Sequence, residues 1–263
     1  MQTKVRWLSS LLVLSSAFVT VSCQTHPSTS TTKVVSKNIV EQTYVNKRGE
    51  KMPYLLFVPS GYDKQKKYPL VLWLHGGGAR GNDPKINLTF GDQHGFGFLT
   101  RSDNQSRYPS FVFAPQCPPN RVWGDPAANN LTAEMNLVLE ILGQLQADYS
   151  IDPARLYVMG ISLGGYGAWD VIVRRPGIFA AAVPICGGGA PAKASLMKAT
   201  AIWAFHGDHD ESVDVSESRH MIAALKQAGA NPRYTEYKDV GHNSWERAFA
   251  EPELLSWLFA QKQ

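Results

Sequence analysis

Among the residues able to do chemistry, Ser162 stands in the most informative setting, Gly160-Ile161-Ser162-Leu163-Gly164. A serine hydroxyl becomes a useful nucleophile only when a base takes its proton. Glycines two positions before and after it permit a strand-to-helix turn too sharp for larger residues. Residues 156–159 are an apolar run of strand character, and Ala168, Trp169, Val171 and Ile172 continue at helical spacing. Strand, turn and helix together would lift Ser162 above a sheet. The first amides of the helix would then face negative charge developing on a carbonyl oxygen. The pattern points to acyl transfer through a covalent intermediate.

Such a serine needs a histidine base and a carboxylate to orient that base. Four histidines follow it: His206, His209, His220 and His242. His220 falls within a helical pattern and reads as a surface residue. His206 ends an apolar run before Gly207, where a histidine more often packs and hydrogen-bonds locally. His242 lies in Val240-Gly241-His242-Asn243, a glycine-containing loop between the last strand and the last helix, and is the expected base. The acid belongs in the loop 206–213, which offers Asp208, Asp210 and Glu211, with Asp214 just beyond. Spacing alone does not separate these four. Two histidines and two aspartates in one short segment also suggest metal ligation. A tight loop, however, does not converge all four on one ion, and the pattern H-x-H-x-D-H fails because Ala204 stands where its first histidine belongs. No metal is expected. His75-Gly76-Gly77-Gly78 follows the apolar run 70–74, and its glycines let the backbone approach a bound substrate closely. No Lys-Ser or Lys-Thr follows at phosphate-loop spacing.

These groups must be held by a scaffold. Apolar runs at 39–45, 54–58, 70–74, 111–114, 156–159, 180–185 and 201–205 read as strands, with a weaker one at 234–237. Helical periodicity covers 131–149, 163–174, 216–228 and 246–260. Strands without intervening helices, then regular alternation, predict an α/β domain. Its sheet would be mostly parallel with an antiparallel start, and helices would cover both faces. That domain is expected over 37–263, with no internal repeat and no second core. Residues 23–36, rich in Ser and Thr, are expected to be a flexible tether. Residues 1–22 place Lys4 and Arg6 before an apolar stretch and read as a signal peptide. The stretch closes on Thr20-Val21-Ser22-Cys23, which resembles a bacterial lipobox with Cys23 as the lipid-modified residue. Export is expected, to the periplasm or cell surface, with membrane attachment only through that lipid.

Composition agrees with a folded enzyme: 44% of the 263 residues are hydrophobic and 18% charged. Removing the leader takes away Lys4 and Arg6 and no acid, so the formal charge falls from +4 to +2. That balance gives no reason to expect a nucleic-acid partner. The basic run 64–67 is interrupted by Gln65 and reads as a solvated turn. Cys117 and Cys186 follow strand-like runs, and either a disulfide between them or two unpaired thiols fits an exported chain.

Taken together, these residues resemble the α/β-hydrolase superfamily, and more narrowly esterases related to the dienelactone hydrolase, prolyl oligopeptidase and feruloyl esterase groups. The resemblance covers about 54–258. It rests on Leu74-His75-Gly76-Gly77-Gly78, Ala114-Pro115-Gln116, Asp152-Pro153-Ala154-Arg155-Leu156-Tyr157, Gly160-Ile161-Ser162-Leu163-Gly164-Gly165, His206-Gly207-Asp208-His209-Asp210 and Gly241-His242. It implies an α/β-hydrolase fold, Asp210 as the acid, and oxyanion amides from Gly77 and Leu163. Asp214, where such sequences often have proline, is a departure that keeps a second carboxylate in play. Asp152 and Arg155 fall in a fold-supporting motif. The activity implied is ester hydrolysis without a cofactor, on a small-molecule or polysaccharide-linked ester such as an acetyl or feruloyl group. A peptidase of the prolyl oligopeptidase type is the nearest alternative, and a non-catalytic lipid-anchored binding protein a more distant one. Trp123, Tyr166 and Trp245 flank the expected site and are candidates to line a substrate pocket. Nothing in the sequence indicates an oligomeric state.

Overall fold

Strand β4 (Tyr68–Leu74) is buried along its whole length, the mark of a strand covered on both sides. The computed structural model describes residues 29–89 and 95–263; the leader and Cys23 lie outside the described residues. Around β4 are arranged β1 (Thr29–Ser36), β2 (Ile39–Val45), β3 (Lys51–Phe57), β5 (Phe111–Pro115), β6 (Ile151–Ile161), β7 (Ala181–Ile185), β8 (Ala201–Gly207) and β9 (Arg233–Tyr237). They form one nine-stranded sheet in the order β1-β2-β3-β5-β4-β6-β7-β8-β9. The pairings β1–β2, β2–β3 and β3–β5 are antiparallel, and every pairing from β5 to β9 is parallel. The expected α/β architecture is therefore present.

The helices are α1 (Ile86–Thr89), α2 (Phe96–Thr100), α3 (Ser102–Arg107), α4 (Ala133–Asp148), α5 (Leu163–Arg174), α6 (Ser216–Gln227), α7 (Trp245–Phe249) and α8 (Leu254–Ala260). Side chains alternate across the sheet, so its two faces feed two cores. Leu70, Leu72, Leu74, Leu156 and Val158 pack with Met135, Val138 and Ile141 of α4, Trp169 and Ile172 of α5, and Met221 of α6. Val71, Trp73, Tyr157 and Met159 face the other way, against Phe96 and Phe98 of α2, Phe249 of α7 and Leu254 of α8. Helix α4 starts where the Thr132 hydroxyl accepts the Met135 amide, a side-chain cap.

Two expectations are corrected, and one alternative left open is resolved. Residues 29–36, expected within a tether, form edge strand β1 in register with β2, with Thr31 opposite Thr43 and Val34 opposite Val40. Backbone pairing does not require apolar side chains, and β-branched Thr and Val suit an extended edge. The single helix expected over 246–260 is two helices, α7 and α8, separated at Pro252. Proline lacks an amide and disfavours helical backbone at the residue before it. Cys117 and Cys186 are both unbridged and buried, and they belong to the cores on opposite faces of the sheet.

Candidate active site

The loop after β4, the turn after β6, the loop after β8 and the loop after β9 all leave the same edge of the parallel strands. The chain runs from β4 outward to β5 and then returns to β6 on the other side of β4. The β4 and β6 ends thus flank the reversal point where open α/β sheets leave a crevice. The loop beginning His75-Gly76-Gly77 and the turn carrying Ser162 meet there.

Ser162 links β6 to α5 with φ of 51°, a left-handed conformation rare for a residue with a side chain. Its amide donates to the Ile185 carbonyl at 2.9 Å, and its carbonyl accepts the Tyr166 amide at 3.0 Å. The flanking glycines are sterically required. A Cβ on Gly160 would lie 2.2 Å from the Gly164 carbonyl oxygen, and one on Gly164 would lie 1.9 Å from that of Leu74. The turn is therefore pressed directly against the end of β4.

Two neighbouring loops bring the remaining groups. The His209 amide donates to the Val240 carbonyl at 3.0 Å and the Asp208 amide to that of Tyr237 at 3.0 Å, joining the loop after β8 to the loop after β9. His242 then places Nε2 at 2.9 Å from Ser162 Oγ. Its Nδ1 lies 2.8 Å from Asp210 Oδ2 and 3.0 Å from Oδ1. With Nδ1 donating to the carboxylate, Nε2 is free to accept the serine proton. The Asp210 carboxylate has no exposed side-chain surface, and its Oδ1 accepts the Ser212 and Val213 amides, each at 2.9 Å.

The other carboxylates do not reach His242. Asp214 accepts the Ser216 amide at 2.8 Å at the start of α6. Asp208 pairs with exposed His209 at 2.7 Å, and Glu211 is exposed. His206 is buried and His220 lies exposed on α6. Among the described residues, the amides of Gly77 and Leu163 meet no hydrogen-bond acceptor.

Residues 123–253 match the dienelactone hydrolase family. A thermostable esterase of known structure is 37% identical, superposes with a TM-score of 0.82, and is matched over 86% of this chain and 64% of its own. The chain has the α/β-hydrolase fold. It is also 28% identical over 135 residues to "Probable feruloyl esterase C" of Aspergillus terreus, covering 51% of this chain and 46% of that protein. It is 22% identical over 270 residues to "Dipeptidyl-peptidase 5" of Aspergillus oryzae, covering 86% of this chain and 36% of that one. The chain thus spans less than half the length of either curated relative.

Within this fold the three aromatic candidates divide. Trp123 is fully buried. Its indole N–H donates to the His75 carbonyl at 3.0 Å, and its ring meets the His75 ring edge-on. It supports the loop after β4 from within and does not line a pocket. Trp245 is half-buried and meets the His242 ring nearly perpendicularly at 5.4 Å between centroids. Tyr166 is half-buried on the first turn of α5. Burial, then Glu217, Asp210 and Cys186, push its phenol pKa up, so it stays neutral.

Two groups near the site were not marked by sequence reasoning. His75, buried beneath the glycine loop, lies 2.8 Å from the Gly76 carbonyl through Nδ1 and accepts the Cys117 amide at Nε2 at 3.1 Å. Burial lowers its pKa to about 4, against a smaller opposing effect of the Gly76 hydrogen bond. Cys186 has φ of 40° just after β7, and its sulfur and the donor atoms of Asp210 and His242 lie within 4.8 Å of one another. These three are donor types that hold metals, but Asp210 and His242 are hydrogen-bonded to each other and burial pushes the thiol up to about 12. A neutral thiol and donors already committed to each other suit a packed hydrogen-bonded array better than ligation.

Proposed function

We propose that this chain is a serine carboxylic ester hydrolase in which Ser162 is the nucleophile, His242 the base and Asp210 the acid. The observation that carries this reading is the continuous line Ser162 Oγ, His242 Nε2, His242 Nδ1 and Asp210, with both links below 3 Å. Ser162 attacks the ester carbonyl carbon while His242 takes its proton. The resulting oxyanion is stabilised by the amides of Gly77 and Leu163. Collapse breaks the bond to the alkoxide, which leaves with the proton from His242. Water then attacks the acyl-serine, passing a proton to His242, and the carboxylic acid departs as Ser162 recovers its hydrogen. Every atom is accounted for without a cofactor.

The name of the Aspergillus terreus relative favours a feruloyl ester, while an acetyl ester, or either group linked to plant polysaccharide, comes from the sequence resemblance; in this reading Trp245, which packs against the His242 ring, and Tyr166 contact the substrate. A peptidase reading draws support from the dipeptidyl-peptidase relative. Export through the leader, with a lipid on Cys23, completes the proposal. The test compares wild type with Ser162→Ala on p-nitrophenyl acetate, methyl ferulate, acetylated xylan and a peptide p-nitroanilide panel. Ester turnover lost in the variant is the expected result. Equal turnover by both proteins would overturn the nucleophile assignment, and amide cleavage exceeding ester cleavage would favour the peptidase. Palmitate labelling of the full chain in a bacterial host, abolished by Cys23→Ala, tests the anchor.

A further inference from the structure

We infer that His206 is a positioning residue for the reaction, holding the carboxylate that orients the base. The inference rests on the assignment of Asp210 as the catalytic acid. His206 ends β8 with no exposed surface. Its Nε2 lies 2.9 Å from the Val213 carbonyl oxygen and 3.2 Å from Asp210 Oδ2. Both neighbours are acceptors only, so Nε2 carries the ring hydrogen and shares it between them. Oδ2 is the oxygen that also meets His242 Nδ1 at 2.8 Å.

The Val213 peptide is thereby held at both edges. Its carbonyl is fixed by His206, and its N–H donates to Asp210 Oδ1 at 2.9 Å. One imidazole thus acts on both carboxylate oxygens, directly on Oδ2 and through the Val213 peptide on Oδ1. On the far side, the bare Nδ1 accepts the Ser218 hydroxyl hydrogen at 2.7 Å, with Ser218 Oγ lying 3.2 Å from the Gly187 carbonyl oxygen. That hydrogen bond ties the ring to α6. The carboxylate is placed by a cluster anchored in three separate elements, and a base displaced by even a fraction of an ångström loses its line to Ser162.

Two substitutions separate positioning from simple packing. His206→Gln carries an amide nitrogen at the level of Nε2 and keeps a donor for Val213 and Asp210. His206→Asn carries its amide at the level of Nδ1 and keeps only the Ser218 side. Both lose the ring. With p-nitrophenyl acetate, kcat per fluorophosphonate-titrated site is expected to fall about 10- to 100-fold in His206→Asn with KM little changed. In His206→Gln it is expected to stay within a few-fold of wild type. Equal kcat in the two variants would overturn the inference. Wild type supplies a measurement that needs neither variant to fold: in proton–nitrogen NMR spectra, His206 should give a solvent-protected Nε2–H. Among the described residues, His75 and His242 carry theirs on Nδ1, while His209 and His220 are exposed. The absence of any protected Nε2–H would also overturn it. Failure of Ser162→Ala to abolish turnover would instead refute the triad assignment, whatever the His206 variants do.

Discussion

Protonating His75 should loosen the glycine loop, and the pH range in which it does so follows from the two partners of the ring. With Nδ1 donating to the Gly76 carbonyl, Nε2 must present its lone pair to the Cys117 amide. A proton on Nε2 would set two donors against each other in a buried site. In the unfolded chain this ring titrates near 6.5, and in the folded protein near 4. Between these values the unfolded state binds the proton and the native state does not. Stability from this group is therefore complete above pH 6.5, declines as the pH falls through the window, and levels off below about 4. At about 1.4 kcal/mol per tenfold difference in proton affinity, the full loss is about 3 kcal/mol. His75→Gln keeps an acceptor for Cys117 and cannot titrate. Urea unfolding followed by tryptophan fluorescence should give a lower stability for this variant at pH 7.5, by about 1–2 kcal/mol. Its further loss on going to pH 4 should be about 3 kcal/mol smaller than that of wild type. Parallel losses in the two proteins would refute the reasoning, because carboxylates titrating in the same range contribute equally to both.

Asp210→Asn should lower kcat by about 10⁴-fold, while Asp214→Asn should stay within a few-fold of wild type, as measured by steady-state ester hydrolysis. Gly164→Ala should cost more than about 4 kcal/mol in urea unfolding, because its methyl would lie 1.9 Å from the Leu74 carbonyl oxygen and both groups belong to the backbone frame. In a chain beginning after residue 23, both remaining thiols are buried and pushed up to about 12. An aromatic disulfide reagent at pH 8 should therefore find none in the native protein and both after denaturation.

Ser162 and His242 were legible because their signals are local: an apolar run, a glycine-flanked serine, a helical period, and a histidine in a short loop after the last strand. The choice among Asp208, Asp210, Glu211 and Asp214 was not local. It depends on how residues 210–213 fold back, with the amides of Ser212 and Val213 closing on the Asp210 carboxylate, and only the family resemblance singled out Asp210. The i, i+4 spacing from His206 to Asp210 was visible, but the turn that brings them to 3.2 Å was not. Trp123 was misplaced because an aromatic near a motif looks the same in sequence whether it lies beneath a loop or lines a pocket above it. Strand β1 was missed because Ser- and Thr-rich composition describes both a tether and a polar edge strand. Pro252 was the neglected signal in the last helix. Cys186 has no sequence signature, since its place beside Asp210 and His242 arises from β7 lying next to β6 in the sheet.

A covalent acyl group at Ser162 is the central requirement of the proposed reaction. Wild type mixed with p-nitrophenyl acetate should release a burst of nitrophenolate equal to the enzyme present, provided deacylation is the slower step. Acid quenching and peptide mass spectrometry should then find one acetyl group on the peptide containing Ser162, and none in Ser162→Ala. Ester hydrolysis by wild type with the acetyl group on any other residue, or with turnover undiminished in Ser162→Ala, would contradict it.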